Sequence, residues 1–152
     1  MQLSWAGRQA EAAQVLERQV ALCEADLRSR SWPTSGRLQA AGYAPLSIVY
    51  RLLNDIPKAV AIAERGLSVI RLSEGERAGA PDHDARAVAR EAARCLAAKA
   101  LAVFSAGQTE QGVAQMRQAL QMGGSADAVV LALAKQLSDH IQAIGGPPVG
   151  LL

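Results

Sequence analysis

The sequence predicts an all-α fold of about six helices stacked as antiparallel pairs, and three observations lead there. Apolar residues recur at steps of three and four through most of the chain, the period of a helix with one buried face. Half of the 152 residues are hydrophobic yet only 3% are aromatic. Alanine supplies much of that apolar count, which favours helix and close helix contacts. Short turn signals at Asn54-Asp55 and Gly107-Gln108 divide the periodic stretches.

The clearest unit runs from Leu96 to Leu120. Leu96, Ala100, Val103 and Gly107 line one helical face, and Gly112, Val113, Met116, Ala119 and Leu120 line a second. Ala100 and Gly112 are the small pair that lets two antiparallel backbones cross closely. Gly107 suits a helix C-terminus, and Thr109 with Glu110 opens the next helix. Tyr43, Leu46, Ser47 and Tyr50, then Ala59, Val60, Ala63, Gly66 and Leu67, repeat the spacing with Ser47 and Ala59 as the small pair. Gly7, Ala12, Ala13, Leu16 and Val20 repeat the second helix alone. Val130, Leu133, Ala134 and Leu137 repeat the first helix alone, 34 residues after Leu96, Lys99, Ala100 and Val103.

At these residues the pattern resembles the tetratricopeptide repeat, a helix–turn–helix unit of about 34 residues. It departs at Lys99, where the family prefers an apolar residue, and at Gly124, where proline is common. The turns at Gly7, Asn54 and Gly107 stand 47 and 53 residues apart, so the connections between units must carry insertions. The resemblance implies a right-handed superhelical array whose first helices line a concave groove.

Taken in order, Met1 to Ala6 read as the end of a helix, and residues 8–30 as the second helix of a first unit. Ala12, Leu16, Val20, Cys23 and Leu27 form its apolar face. One side of that helix is left bare, either because the chain belongs to a longer array or because a homodimer forms through Arg8–Arg30. Ser29 to Gly36 is a break in which Trp32 precedes Pro33. The second unit spans 37–72, with Pro45 in the first turns of one helix and Asp55 and Pro57 opening the next. Ser73 to Pro81 reads as a loop. The third unit spans 82–123, opened by Asp82 or Asp84. Ser125 caps a closing helix over 125–144 that Asp127 favours electrostatically. The whole of 1–144 is one domain, and 145–152 a flexible tail.

A net charge of +2 is too small to imply nucleic acid or an acidic membrane surface. Arginine outnumbers lysine thirteen to three, which fits a GC-rich coding sequence. Cys23 and Cys95 read as small core residues in a reducing compartment. No charged leader precedes an apolar core, so the cytoplasm is expected.

No catalytic motif is recognisable, and neither a catalytic activity nor a cofactor is expected. Asp82-His83-Asp84 cannot converge on one metal from a helix, where neighbours diverge by roughly 100°; it reads as a helix start. His140 has no recognisable partner. Arg86, Arg90 and Arg94 form a stripe that is either a solvated face partly paired with Glu91 or a carboxylate-recognising strip.

Carrying the family's geometry over places Ile48, Arg51, Leu52, Arg94, Leu101, Phe104 and Lys135 in the groove. Leu101 and Phe104 are equally open to simple core burial. The mixture suits an amphipathic, somewhat acidic protein or peptide segment. The family's carboxylate clamp is absent, since Asn54 is the sole asparagine. The resemblance therefore implies a non-enzymatic scaffold or regulatory module, of the kind found in bacterial signalling proteins. The alternative is a sensor domain that binds a small molecule or peptide.

Overall fold

The structure is a computed structural model that describes residues 2–29, 42–76, 82–122 and 127–146. Those residues form six helices: α1 (Gln2–Ser29), α2 (Tyr43–Leu52), α3 (Ile56–Glu76), α4 (Asp82–Ser105), α5 (Thr109–Gln121) and α6 (Ala128–Ala143). Among the described residues there is no strand. Trp32, the expected helix start at Arg37, Ser125 and the tail over 147–152 lie outside the described residues. So do the side chains of Trp5, Cys23, His83 and Arg86.

Each helix packs on its neighbour in the chain, and α4 also packs on both α2 and α6. α3 and α5 make at most marginal contact among the described residues. The consequence is a row of three helices, with α3 and α5 behind it. α4 belongs to two cores. Its Ala97, Ala100 and Leu101 join Met116 of α5 and Val130 and Leu137 of α6. Its Ala92 and Cys95 join Tyr43 and Leu46 of α2, Ile70 of α3 and Val20 of α1.

The pairs close through small residues. A Cβ built on Gly112 would lie 2.9 Å from the carbonyl oxygen of Ala100 and 3.0 Å from Cβ of Phe104, so α4 and α5 cross with almost no side chain between them. In the preceding pair the buried Ser47 hydroxyl donates to the Ala59 carbonyl at 2.7 Å. Gly66 of α3 faces Tyr43 Cβ and Cys95 Sγ, which a Cβ would meet at 2.7 and 2.9 Å.

The three helices of the row also end alike. Asn54 (φ 63°), Gly107 (φ 94°) and Gly145 (φ 78°) adopt the left-handed conformation. After α2, the Asp55 N–H donates to the Tyr50 carbonyl at 2.8 Å and the Asn54 N–H to Arg51 at 2.9 Å. Gln108 and Gly107 repeat this on Val103 and Phe104, and Gly146 and Gly145 on Ile141 and Gln142. This paired closure satisfies the last carbonyls of a helix and fixes where the chain leaves it.

Several expectations are corrected. Gly7 makes no turn: α1 runs unbroken from Gln2, so Gln2 to Ala6 do not form a separate helix end. A single glycine costs a helix only about 1 kcal/mol relative to alanine, and no second breaker flanks it. α3 continues to Glu76, four residues into the expected loop, because Ser-Glu-Gly-Glu weakens a helix without forbidding it. Pro45 is the third residue of α2, where its missing N–H removes no helical bond.

α1 docks with Ala13 and Val20 buried and Leu16 half-buried. Two carboxylates flank this stripe: Glu17 accepts from the Tyr50 hydroxyl at 2.6 Å, and Glu24 from Arg65 of α3 at 2.8 Å. Burial, with Glu17 close by, pushes the Tyr50 hydroxyl up to about 12. It therefore stays a proton donor at any ordinary pH. On the opposite side Val15 and Leu22 are exposed.

Gly66→Ala and Gly112→Ala test the close approach. Alanine gains about 1 kcal/mol in helix propensity, but the new methyl meets atoms at or next to a backbone. A net loss of about 1–3 kcal/mol is expected in urea denaturation. Either variant proving more stable than the parent would contradict the packing. Gly107→Ala, which meets nothing within 4 Å, should lose about 1–2 kcal/mol from backbone strain alone.

Candidate functional site

The row formed by α2, α4 and α6 gathers most of the residues expected to line a groove. α6 runs parallel to α4. Asp127 meets Arg94 at one end, and His140 stacks on Phe104 at the other, ring centroids 6.2 Å apart. The partners are 33 and 36 residues apart in sequence. His140 thus has a partner that local sequence did not reveal.

Arg94 is committed within the chain. Its Nε donates to Asp127 Oδ2 at 2.9 Å and its second terminal nitrogen to Oδ1 at 2.8 Å. The remaining terminal nitrogen reaches Glu91 at 3.4 Å. Asp127 is also the N-cap of α6, accepting from the Val130 N–H at 3.2 Å. One carboxylate therefore caps a helix and pins it to α4. The Arg94 hydrogen bonds hold the Asp127 carboxyl below the usual range, with the Val130 N–H adding to the effect. Glu91 goes the other way: burial raises its carboxyl against the pull of Arg94 and Arg90, and its Oε2 is buried without a partner. Of the expected stripe, Arg90 is exposed.

The other expected groove residues divide by depth. Leu101 is fully buried, so it is core floor and presents nothing to solvent. Ile48 is half-buried against the α4–α6 core, and Phe104 is half-buried beneath His140. Leu52 and Lys135 are exposed on α2 and α6. Arg51 is half-buried, and its terminal nitrogen donates to Gln136 Oε1 of α6 at 3.2 Å. Its Nε is buried and makes no hydrogen bond, and burial lowers its pKa. Gln136 and His140 were not anticipated. Their only sequence signal is the step of four beside the inward face of Leu133, Leu137 and Ile141.

Behind the row, the space between α3 and the end of α4 is an open cleft of about 440 Å³, with Ile56, Pro57, Val60, Glu64, Val103 and Ala106 in its wall. Lys99 pairs with Glu64 of α3 at 3.2 Å. Among the described residues no group of three or more His, Cys, Asp or Glu side chains is placed to hold a metal. No helix among them is long and apolar enough to cross a membrane. Comparison with known proteins found no matching family model, no matching curated protein and no matching solved structure.

Asp127→Ala removes both the cap and the pin, and should cost about 2–4 kcal/mol at neutral pH. Because the Asp127 pKa is depressed on folding, its contribution is complete above the ordinary carboxylate range. It fades as the pH falls through the lowered value. Urea titrations of parent and variant should therefore diverge at neutral pH and converge in strong acid. A gap that persisted unchanged in acid would mean the carboxylate charge plays no part.

Proposed function

We propose that this chain is a non-enzymatic interaction module, a short array of tetratricopeptide-like helix pairs that scaffolds or regulates a partner protein in the cytoplasm. The observation that supports this reading best is the packing pattern. First helices α2, α4 and α6 touch one another in a row, while second helices α3 and α5 stay apart behind it. The displacement of about one repeat between α4 and α6 agrees with it, as do the three like helix ends. In such an array the row of first helices is the recognition face, and a partner segment lies across it. Here that row carries the exposed Leu52 and Lys135 and the half-buried Arg51. Recognition by a segment laid into a groove needs a few apolar anchors and well-placed charges, and no reacting group. Arg94 is not part of this surface, because Asp127 occupies its fork.

Leu52→Asp combined with Lys135→Glu changes two exposed side chains and should leave the melting temperature within a few degrees of the parent. Capture of partners from lysate, quantified against the parent, should fall for the double variant. Retention of the same partners at the same level would remove this face from the reading. The exposed Val15 and Leu22 of α1 supply a separate contact for a second copy. A dimer seen by light scattering and dispersed by Leu22→Glu is the outcome expected if α1 self-associates; a monomer over a wide concentration range rules it out.

A further inference from the structure

We propose that Arg51 is the anchor for a carboxylate side chain of the partner polypeptide, and that Gln136 holds its place when no partner is bound. The inference rests on the reading of the α2–α4–α6 face as the recognition surface, and names the chemistry that surface selects.

Three cations among the described residues are half-buried: Arg51, Arg94 and Lys99. Two of them have a carboxylate, Arg94 with Asp127 and Lys99 with Glu64. Arg51 has none within ion-pair distance among the described residues. Its one hydrogen-bond partner there is the neutral amide oxygen of Gln136, and its Nε is buried without an acceptor. A guanidinium withdrawn from water in this way lacks a counter-charge and leaves one N–H unsatisfied.

The protein itself shows what such a fork takes. Arg94 uses Nε and one terminal nitrogen to grip both oxygens of Asp127 side-on, the bidentate geometry to which a guanidinium is suited. Arg51 has the same kind of edge, its Nε covered and without an acceptor while a terminal nitrogen is engaged by the Gln136 amide oxygen. Gln136 is an exposed side chain of α6, so it can turn away and let a carboxylate replace it. Beside Arg51 in sequence stands the exposed Leu52, and beside Gln136 the exposed Lys135. The occupant is thus an amphipathic segment whose Asp or Glu meets Arg51 beside an apolar residue.

The test uses the full chain and a matched pair of synthetic amphipathic helical peptides, one carrying Leu and Glu, the other Leu and Gln. Binding is read by fluorescence anisotropy, and contact with Arg51 by the NMR signal of its Nε–H. The Glu peptide should bind about tenfold or more tightly than the Gln peptide, and should shift the Arg51 signal. Arg51→Gln should abolish that preference. Gln136→Glu should abolish it too while raising the melting temperature, because the introduced carboxylate fills the site from within. Equal binding of both peptides, unchanged in Arg51→Gln, would overturn the anchor but leave the recognition face standing. Failure of both peptides to bind would count against the face and the anchor together. Free glutamate or inorganic phosphate shifting the Arg51 signal as far as the peptide does would overturn the polypeptide source, leaving a small-anion site. A dimer that Arg51→Gln dissolves would assign the carboxylate to a second copy instead.

Discussion

The close crossing of paired backbones at small residues is the constraint on which the rest of the structure depends. Gly112 against the Ala100 carbonyl, Ser47 against the Ala59 carbonyl and Gly66 against Tyr43 and Cys95 set how near α2, α3, α4 and α5 approach. With so little side chain between helices, each contact removes little apolar surface from water. Cohesion must come from density and from number of contacts. Interiors packed at crystal-like density transmit any misfit to their neighbours. That is why one helix, α4, can serve two cores: Ala92, Ala93, Ala97, Ala98, Ala100 and Ala102 are all buried, and their small size admits partners on several sides.

Polar contacts then fix what the apolar surfaces leave undetermined. Flat, alanine-rich faces slide easily, since neighbouring registers bury similar areas. α6 is held against sliding by Asp127 on Arg94 at one end and His140 on Phe104 at the other. Glu17 and Glu24 do the same for α1 against Tyr50 and Arg65. Arg51 differs from these. It bridges α2 and α6 through a neutral amide while its Nε goes without an acceptor. A residue that breaks the pairing rule followed by its neighbours is where function is most readily sought.

What could be read from the sequence follows the range of the interactions. The pairs Ala100–Gly112 and Ser47–Ala59 were legible because each spans one turn and its flanking helices, and small residues at helical spacing leave a visible trace. Gly107 and Asn54 were legible as helix ends for the same local reason. The Gly7 turn and the loop at Ser73 were misread because a weak helix former looks like a breaker when packing is unknown. The role of Arg94 was hidden by distance. Its partner lies 33 residues away, and the bridge from Arg51 to Gln136 spans 85. Charged residues on a helix carry no period that tells a partner within the chain from one outside it. Leu101 was ambiguous between groove and core, and its burial in the cluster shared by α4, α5 and α6 decided for core.

α4 is the shared spine of two cores built on close helix crossings, and native-state amide hydrogen exchange reads whether it opens only with both. Amides of buried elements common to all contacts should open only with the whole domain. The account predicts that those from Ala93 to Val103 are the slowest in the chain, exchanging at the rate set by global unfolding, with α1 and α6 opening earlier. If the α4 amides instead exchanged as fast as those of α1 or α6, the two cores would be independent and the spine would not exist.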